Sequence, residues 1–313
     1  MKKSSFDVNT DEWWSFDTAH VVSTHCHHCN PITQSPLLSC QGVGDVRLAN
    51  SDKVLTAGGV YLLYYFGGTF ESRPATDYMT MQKELPSIPE VTAMQLRIGV
   101  ALSQDGIHWS RLEGEHATGA VLEVGKSGEF DELMVGWPQV VNHKDSEFRM
   151  YYQTMAPASW GTEYSLGLAR SDDGFKWKKA GPVQVPTEDW CSAGVSRRHV
   201  LQLKPGASDD GSEGEERYYM FYEGVNVSGG HAIGLASSTD GLTWESASPG
   251  PIFEAGADGA WDGKAVGSPH VVELDDGRLY MYYVGTSTEG RCAIGCAVAD
   301  RSDLTSWTRL SSS

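Results

Sequence analysis

Glu223 sits near the end of the stretch RYYMFYEG (217–224), and nothing like it stands at the same place in three similar stretches. GVYLLYYFGG (59–68), EFRMYYQT (147–154) and RLYMYYVG (278–285) put Phe66, Gln153 and Val284 there. A carboxylate at the end of an otherwise repeated aromatic strand can act as a general acid if burial favours its protonated form. The alternative is a rim residue paired with Arg197 or Arg198. A second polar group lies just upstream of these stretches, in GVGDVRLA (42–49), MVGWPQVV (134–141), AGVSRRHVL (193–201) and AVGSPHVV (265–272). Aligned on their valines, one position reads Asp45, Trp137, Arg197 and Ser268. Two residues on it reads Arg47, Gln139, His199 and His270, and His20 of SFDTAHVV (15–22) matches that second set. Strand alternation puts both sets on one side. So much polarity on inner strands is costly unless it meets water or a ligand.

Two of these patterns suggest metal chemistry. His20, His199 and His270 fall at equivalent depths, and three imidazoles around a narrow channel can bind a divalent transition metal. The same three can equally form a hydrogen-bonded set around water or a sugar. THCHHCNP (24–31) has Cys26 and Cys29 at C-x-x-C spacing, but a structural zinc usually needs a second pair, and Cys40 alone does not supply it. Two arginines beside a histidine, at Arg197, Arg198 and His199, suit an anionic group such as a carboxylated sugar or a phosphate.

The elements that must position these residues are repeated. RIGVALSQDGIHW, SLGLARSDDGFKW, AIGLASSTDGLTW and AIGCAVADRSDLTSW end at Trp109, Trp177, Trp244 and Trp307, with spacings of 68, 67 and 63 residues. Each reads as a strand, a turn and a short outer strand that carries the Trp. The pairs Asp105-Gly106, Asp173-Gly174 and Asp240-Gly241 fit hairpin turns that need positive φ, so their carboxylates are poor catalytic candidates. With the two upstream strands, each repeat holds four strands in about 65 residues, the size of a propeller blade. The expected fold is all-β: a single five-bladed β-propeller with four-stranded antiparallel blades around a central funnel. Residues 1–41 form an abbreviated N-terminal blade, followed by blades at 42–112, 113–181, 182–248 and 249–313. The other arrangement is a four-bladed ring with residues 1–40 as an extension. The long insertion 66–96 in the second of these blades is expected to be a partial lid or a homo-oligomer contact.

The combination of YYMFY.G with IGLA.S.DG..W resembles the arabinanase, levansucrase and invertase superfamily of five-bladed propellers, which includes glycoside hydrolase families 43, 32, 68, 117 and 130. The resemblance covers about residues 42–310. It implies a carbohydrate-active enzyme, glycoside hydrolase-like, with a polar or anionic sugar in the funnel. On that likeness Asp45 would be base or nucleophile and Glu223 the acid. Asp131 (in EFDELMVG) or Asp262 (in AWDGKAVG) would be a third carboxylate that tunes them. Because this Asp recurs before two inner strands, each time after an aromatic, a structural role competes with a catalytic one. Asp189-Trp190 is a reordered candidate for the third copy. Trp137 and Trp160 would stack on sugar rings, while Arg47, Gln139, Arg197, Arg198, His199 and His270, with Arg73 from the insertion, would orient polar groups. The stretch VSRRHV departs from family 43, whose acid glutamate lies at an inner-strand start. No cofactor is required on this reading. The competing readings are a metal-dependent lyase, isomerase or oxygenase built on the histidines, and a glycan-binding propeller without catalysis.

Composition narrows the partners. The 313 residues carry a formal charge of −17, which argues against nucleic acid and anionic membranes. No apolar run approaches the roughly 18–20 residues that span a bilayer. The first residues, MKKSSFDVNTDEWW, have no hydrophobic segment of the secretory kind. Six cysteines are too few for a disulfide framework, and Cys292 and Cys296, at i and i+4 on one strand, read as small buried residues. These features suggest a soluble protein of a reducing, cytoplasmic or organellar compartment, with a small molecule or oligosaccharide as partner.

Overall fold

The computed structural model describes residues 19–23, 38–42, 61–74, 90–104, 107–143, 147–155, 165–186, 188–203 and 217–310; residues 19–23, 38–42, 68–74 and 90–94 are described by their backbone. Asp45, Arg47, Trp160, Asp105-Gly106 and the Cys26–Cys29 cluster lie outside the described residues. The chain divides into two compact units, residues 1–182 and 183–313.

The first unit holds two sheets. One contains β1 (Ala19–Ser23), β2 (Leu38–Gly42), β3 (Tyr61–Pro74), β4 (Glu90–Ser103) and β5 (Ser110–Leu112), in the order β2-β1-β3-β4-β5. The other runs in sequence order through β6 (Met134–His143), β7 (Glu147–Met155), β8 (Ser165–Ser171) and β9 (Lys178–Val183). Both sheets of the second unit also run in sequence order. They are β10 (Gly194–Leu203), β11 (Arg217–Val225), β12 (His231–Ser238) and β13 (Glu245–Ser246), then β14 (Ala265–Glu273), β15 (Arg278–Thr286), β16 (Cys292–Asp300) and β17 (Thr308–Arg309).

The repeat therefore yields four sheets rather than five among the described residues: three are four-stranded and antiparallel, and the first has five strands, with β2 joined parallel to β1. The difference lies at the N-terminus. Residues 19–23 do not begin a separate blade; β1 pairs antiparallel with β3, with His20 opposite Tyr64. That is the register His270 keeps with Tyr282 and His199 with Phe221. SFDTAHVV was rightly aligned with the inner strands, but it fills the inner place of the first sheet, the place assigned to 42–49. Two segments of equal local pattern suit the place beside β3, and short-range sequence does not decide between them. The insertion is a β-arm: β3 and β4 pair continuously from Tyr61–Ser103 to Pro74–Glu90.

The turns are built as their residues require. Asp173 Oδ1 accepts from the backbone N–H of Phe175 and Lys176 at 2.7 and 2.8 Å, and Asp240 Oδ1 does the same for Leu242 and Thr243 at 2.8 and 2.9 Å. Gly174 and Gly241, at φ 78° and 68°, take the left-handed turn. These carboxylates are turn caps. The repeated Trp packs against the preceding sheet. Trp177 meets Tyr64 edge to face at 5.7 Å in the first unit, and Trp307 meets Phe221 at 5.7 Å in the second. Each unit has its own core, centred on Tyr64, Ile98, Val135, Met150 and Trp177 in the first and on Phe221, Leu235, Val271, Met281 and Tyr283 in the second.

Candidate active site

Three inner strands carry a bulge at the same place. Register shifts lie between Gly136 and Gln139, Val195 and Arg198, and Gly267 and His270. A bulge turns a side chain or N–H out of the ladder, and such kinks are common beside active sites. Trp137 and Ser268 sit in two of these bulges with φ of 46° and 50°, a strained region for residues with a Cβ.

The consequence differs between units. In the first, Phe66 of β3 and Leu96 of β4 fill the space beside Gly136, 3.8 and 3.6 Å from where a Cβ would sit. Trp137 lies tilted on Phe66, ring centroids 4.6 Å apart, so it is partly committed to protein packing. In the second unit the corresponding slot is polar. Glu223 pairs with Ile233 as Phe66 pairs with Ile98, so His231 stands where Leu96 stands. Glu223 is 8% exposed. Its Oε2 accepts the Ser268 N–H at 2.9 Å, and its Oε1 lies 2.6 Å from His231 Nδ1. Gly267 makes room: a Cβ there would lie 2.4 Å from the Glu223 carboxyl carbon. The partners of Glu223 are thus a bulge N–H and a histidine, where the sequence suggested an arginine. His231 was missed, although contrast between repeats would have found it, since its counterpart is an apolar Leu96.

His199 and His270 do come together, their rings edge to face at 4.2 Å. His199 is buried and its Nδ1 accepts the Val271 N–H at 3.3 Å, which assigns the ring proton of the neutral form to Nε2. Burial pushes the half-buried His270 down to about 4, so its imidazole is neutral at pH 7. No group of three or more His, Cys, Asp or Glu able to hold a metal converges among the described residues; the His20 side chain is outside them. Arg198 and Gln139 are buried on their inner strands, and Arg197 is half-buried, with its Nη1 3.3 Å from Ser196 Oγ. Of Arg73, only the backbone position on β3 is described.

Asp131 and Asp262 occupy equivalent buried places that tie three elements together. Tyr152 Oη donates to Asp131 Oδ2 at 2.8 Å, and Lys179 Nζ lies 2.7 Å from the same oxygen. Tyr283 Oη donates to Asp262 Oδ2 at 3.0 Å, and Arg309 Nε at 2.8 Å. Burial, then the Asp262 carboxylate, pushes the Tyr283 phenol up to about 12, so it stays a donor. Each carboxylate is thus occupied with a tyrosine of the second strand and a base of the outer strand. That geometry gives both a structural task and sets Asp262 apart from the Glu223 cluster.

The third copy is not Asp189-Trp190 but Trp190-Cys191. Trp190 stacks on Tyr222 at 5.7 Å as Trp261 stacks on Tyr283 at 5.7 Å. Cys191 then stands where Asp262 does, beside the corresponding glycine. Ser246 on β13, opposite Ala236 of β12, stands in the place of the outer base. Neither the acid nor the base of the other two copies is present at this place, and Glu188 bridges it, accepting from Ser246 Oγ at 2.9 Å and Trp190 Nε1 at 3.0 Å. Burial pushes the Cys191 thiol up, so it remains protonated. Cys292 is exposed and not the buried residue expected, while Cys296 is half-buried.

Solved structures of carbohydrate-active enzymes share the fold. A glycosyl hydrolase from Bacteroides ovatus matches with a TM-score of 0.56 at 18% identity, over 82% of this chain and 68% of its own. The β-1,2-mannobiose phosphorylase from Listeria innocua matches at 0.54 and 16%, over 82% and 72%. A third match, at 0.55 and 18% over 82% and 68%, represents the GH130 family of mannoside phosphorylases, which contains glycoside hydrolases that target β-1,2-mannosidic linkages in Candida mannan. At these identities the likeness is one of fold. No protein-family model matches the chain, and no curated protein does. No helix among the described residues is long and apolar enough to cross a membrane.

Proposed function

We propose that the chain is a carbohydrate-active enzyme that cleaves a glycosidic bond in a polar or anionic sugar, by hydrolysis or by phosphorolysis. The observation that carries this reading is the Glu223–His231 pair, buried against the Ser268 N–H in a slot that Phe66 and Leu96 fill in the first unit. A buried carboxylate costs free energy that an apolar pair does not. The fold it sits on is one that glycosidases and a mannobiose phosphorylase use. In this reading the Glu223–His231 pair supplies the acid end of the reaction, and Asp45 is the base or nucleophile. Arg197, Arg198, His199 and His270 receive the polar groups of the sugar or a phosphate, with Trp137 and Trp160 as stacking surfaces. No cofactor takes part.

The test is turnover of aryl and alkyl glycosides, β-mannosides first, with and without inorganic phosphate. A dependence on phosphate identifies a phosphorylase, and its absence a hydrolase. Glu223→Gln and Asp45→Asn are each expected to lower turnover of alkyl glycosides by at least about 100-fold. Unchanged turnover in both variants refutes the assignment.

A further inference from the structure

We infer that the proton is delivered by His231, from Nε2, and that Glu223 is the positioning residue behind it. This deepens the proposed function and rests on it. Both oxygens of Glu223 are engaged, Oε2 by the Ser268 N–H at 2.9 Å and Oε1 by His231 Nδ1 at 2.6 Å. The Glu223 side chain is 11% exposed and that of His231 33%. The ring, and not the carboxylate, is therefore the part of the pair that reaches solvent. A carboxylate against Nδ1 keeps a proton on that nitrogen in either charge state of the ring, so the proton that comes and goes is the one on Nε2. Among the described residues Nε2 has no hydrogen-bond partner. The geometry is that of a carboxylate holding a catalytic imidazole in one tautomer and orientation.

The step balances as follows. His231 Nε2–H gives its proton to the glycosidic oxygen as the C1–O bond breaks and its electron pair leaves on that oxygen. An oxygen of water or of phosphate bonds to C1. The proton of water passes to the base, Asp45 in this reading. The ring ends neutral, with Nδ1–H still on Glu223, and regains a proton on Nε2 from solvent.

Besides Glu223, the charged and titratable groups on the packed strands are Arg197, Arg198 and His199 on β10, Arg217, Tyr218, Tyr219 and Tyr222 on β11, and His270 and Glu273 on β14. His199 has a different tautomer, since its Nδ1 accepts a backbone N–H. This contrast makes the inference measurable without a substrate.

Long-range ¹H–¹⁵N spectra of the holo-length protein, with ring nitrogens assigned through His231→Asn and His199→Asn, report each tautomer at neutral pH. The expected result is Nδ1–H for His231 and loss of that preference in Glu223→Gln. An Nε2–H tautomer for His231 in the unmodified protein overturns the inference. Activity supplies the second arm. Against a methyl β-mannoside, whose leaving group needs a proton, His231→Gln is expected to lower kcat at least 100-fold. Against 2,4-dinitrophenyl β-mannoside, whose leaving group does not, it is expected to stay within about threefold. Equal losses on both substrates overturn the inference. Turnover of no glycoside by the unmodified protein refutes the proposed function instead, and leaves the tautomer result to stand or fall by itself. The double variant Glu223→Phe/His231→Leu, a copy of the Phe66/Leu96 slot, is expected to fold and to be inactive on the methyl glycoside; retained activity there also overturns the inference.

Discussion

Replacing Lys179 by Ser asks what the buried carboxylate of the first unit does. Asp131 is 0% exposed, and its Oδ2 takes both hydrogen bonds, from Tyr152 and Lys179, while Oδ1 has no partner among the described residues. Without Lys179 a fully buried anion keeps one neutral donor. Stranding one member of a buried pair costs about 3–5 kcal/mol. The lysine side chain is 26% exposed, so water can reach the gap, and the low end, about 3 kcal/mol, applies. At about 2–4 °C per kcal/mol for a unit of this size, Tm should fall by about 6–12 °C. The reverse replacement, Asp131→Cys, should cost less, about 1–2 kcal/mol, because the freed ammonium can swing into solvent. The pair Asp131→Cys/Lys179→Ser copies the side chains at Cys191 and Ser246 and should cost about 2–3 kcal/mol, well short of the sum, leaving a coupling of about 2 kcal/mol. Urea unfolding of the four proteins measures the cycle. Additive effects, or a Lys179→Ser protein whose Tm moves by less than about 2 °C, would refute the buried-pair account. If Asp131 is structural, turnover at a temperature where the double variant is folded should be unchanged.

Other consequences follow from the same geometry. Gly267→Ala puts a Cβ against the Glu223 carboxyl group, whose side chain can move aside; stability should fall by only about 1 kcal/mol while turnover drops at least about tenfold, because the pair is displaced. Ser268→Gly relieves the positive φ and keeps the N–H, so activity should persist and stability hold or rise by up to about 1 kcal/mol, as thermal unfolding would show. His270, held at about 4 by burial against an ordinary 6.5, contributes stability that is complete above about pH 6.5 and is lost as pH falls toward 4. At pH 5 the loss should be about 2 kcal/mol, and in His270→Gln the difference between urea midpoints at pH 7 and pH 5 should shrink accordingly.

Much of this was legible in the residues. The recurring aromatic strand, Asp-Gly turn and Trp specify a strand, a tight turn and a strand by contacts a few residues apart, so the three four-stranded sheets follow from local pattern, whereas the separate N-terminal blade expected from residues 1–41 is not among the described sheets. The inner-strand alignment held for Gln139, His199 and His270, which share one register. Contrast between repeats singled out Glu223. The same contrast applied one strand later would have added His231, but a lone histidine at a strand start carries no local signal of its partner.

Tertiary structure decided what local pattern leaves equal. Residues 19–23 and 42–49 both have the alternation of an inner strand, and only pairing with Tyr61–Tyr64 shows which one takes the place. Sequence supplied Asp131, Asp262 and Asp189 as look-alikes; packing against Tyr222 showed that Cys191 holds the third position. The sequence by itself determined which side chains are available and the sheets that carry them. Which carboxylate is bound to a base, and which to a bulge N–H and a histidine, depends on neighbours 8 to 48 residues away, on adjoining strands or on another sheet. Only packing within each unit brings such groups within hydrogen-bonding distance.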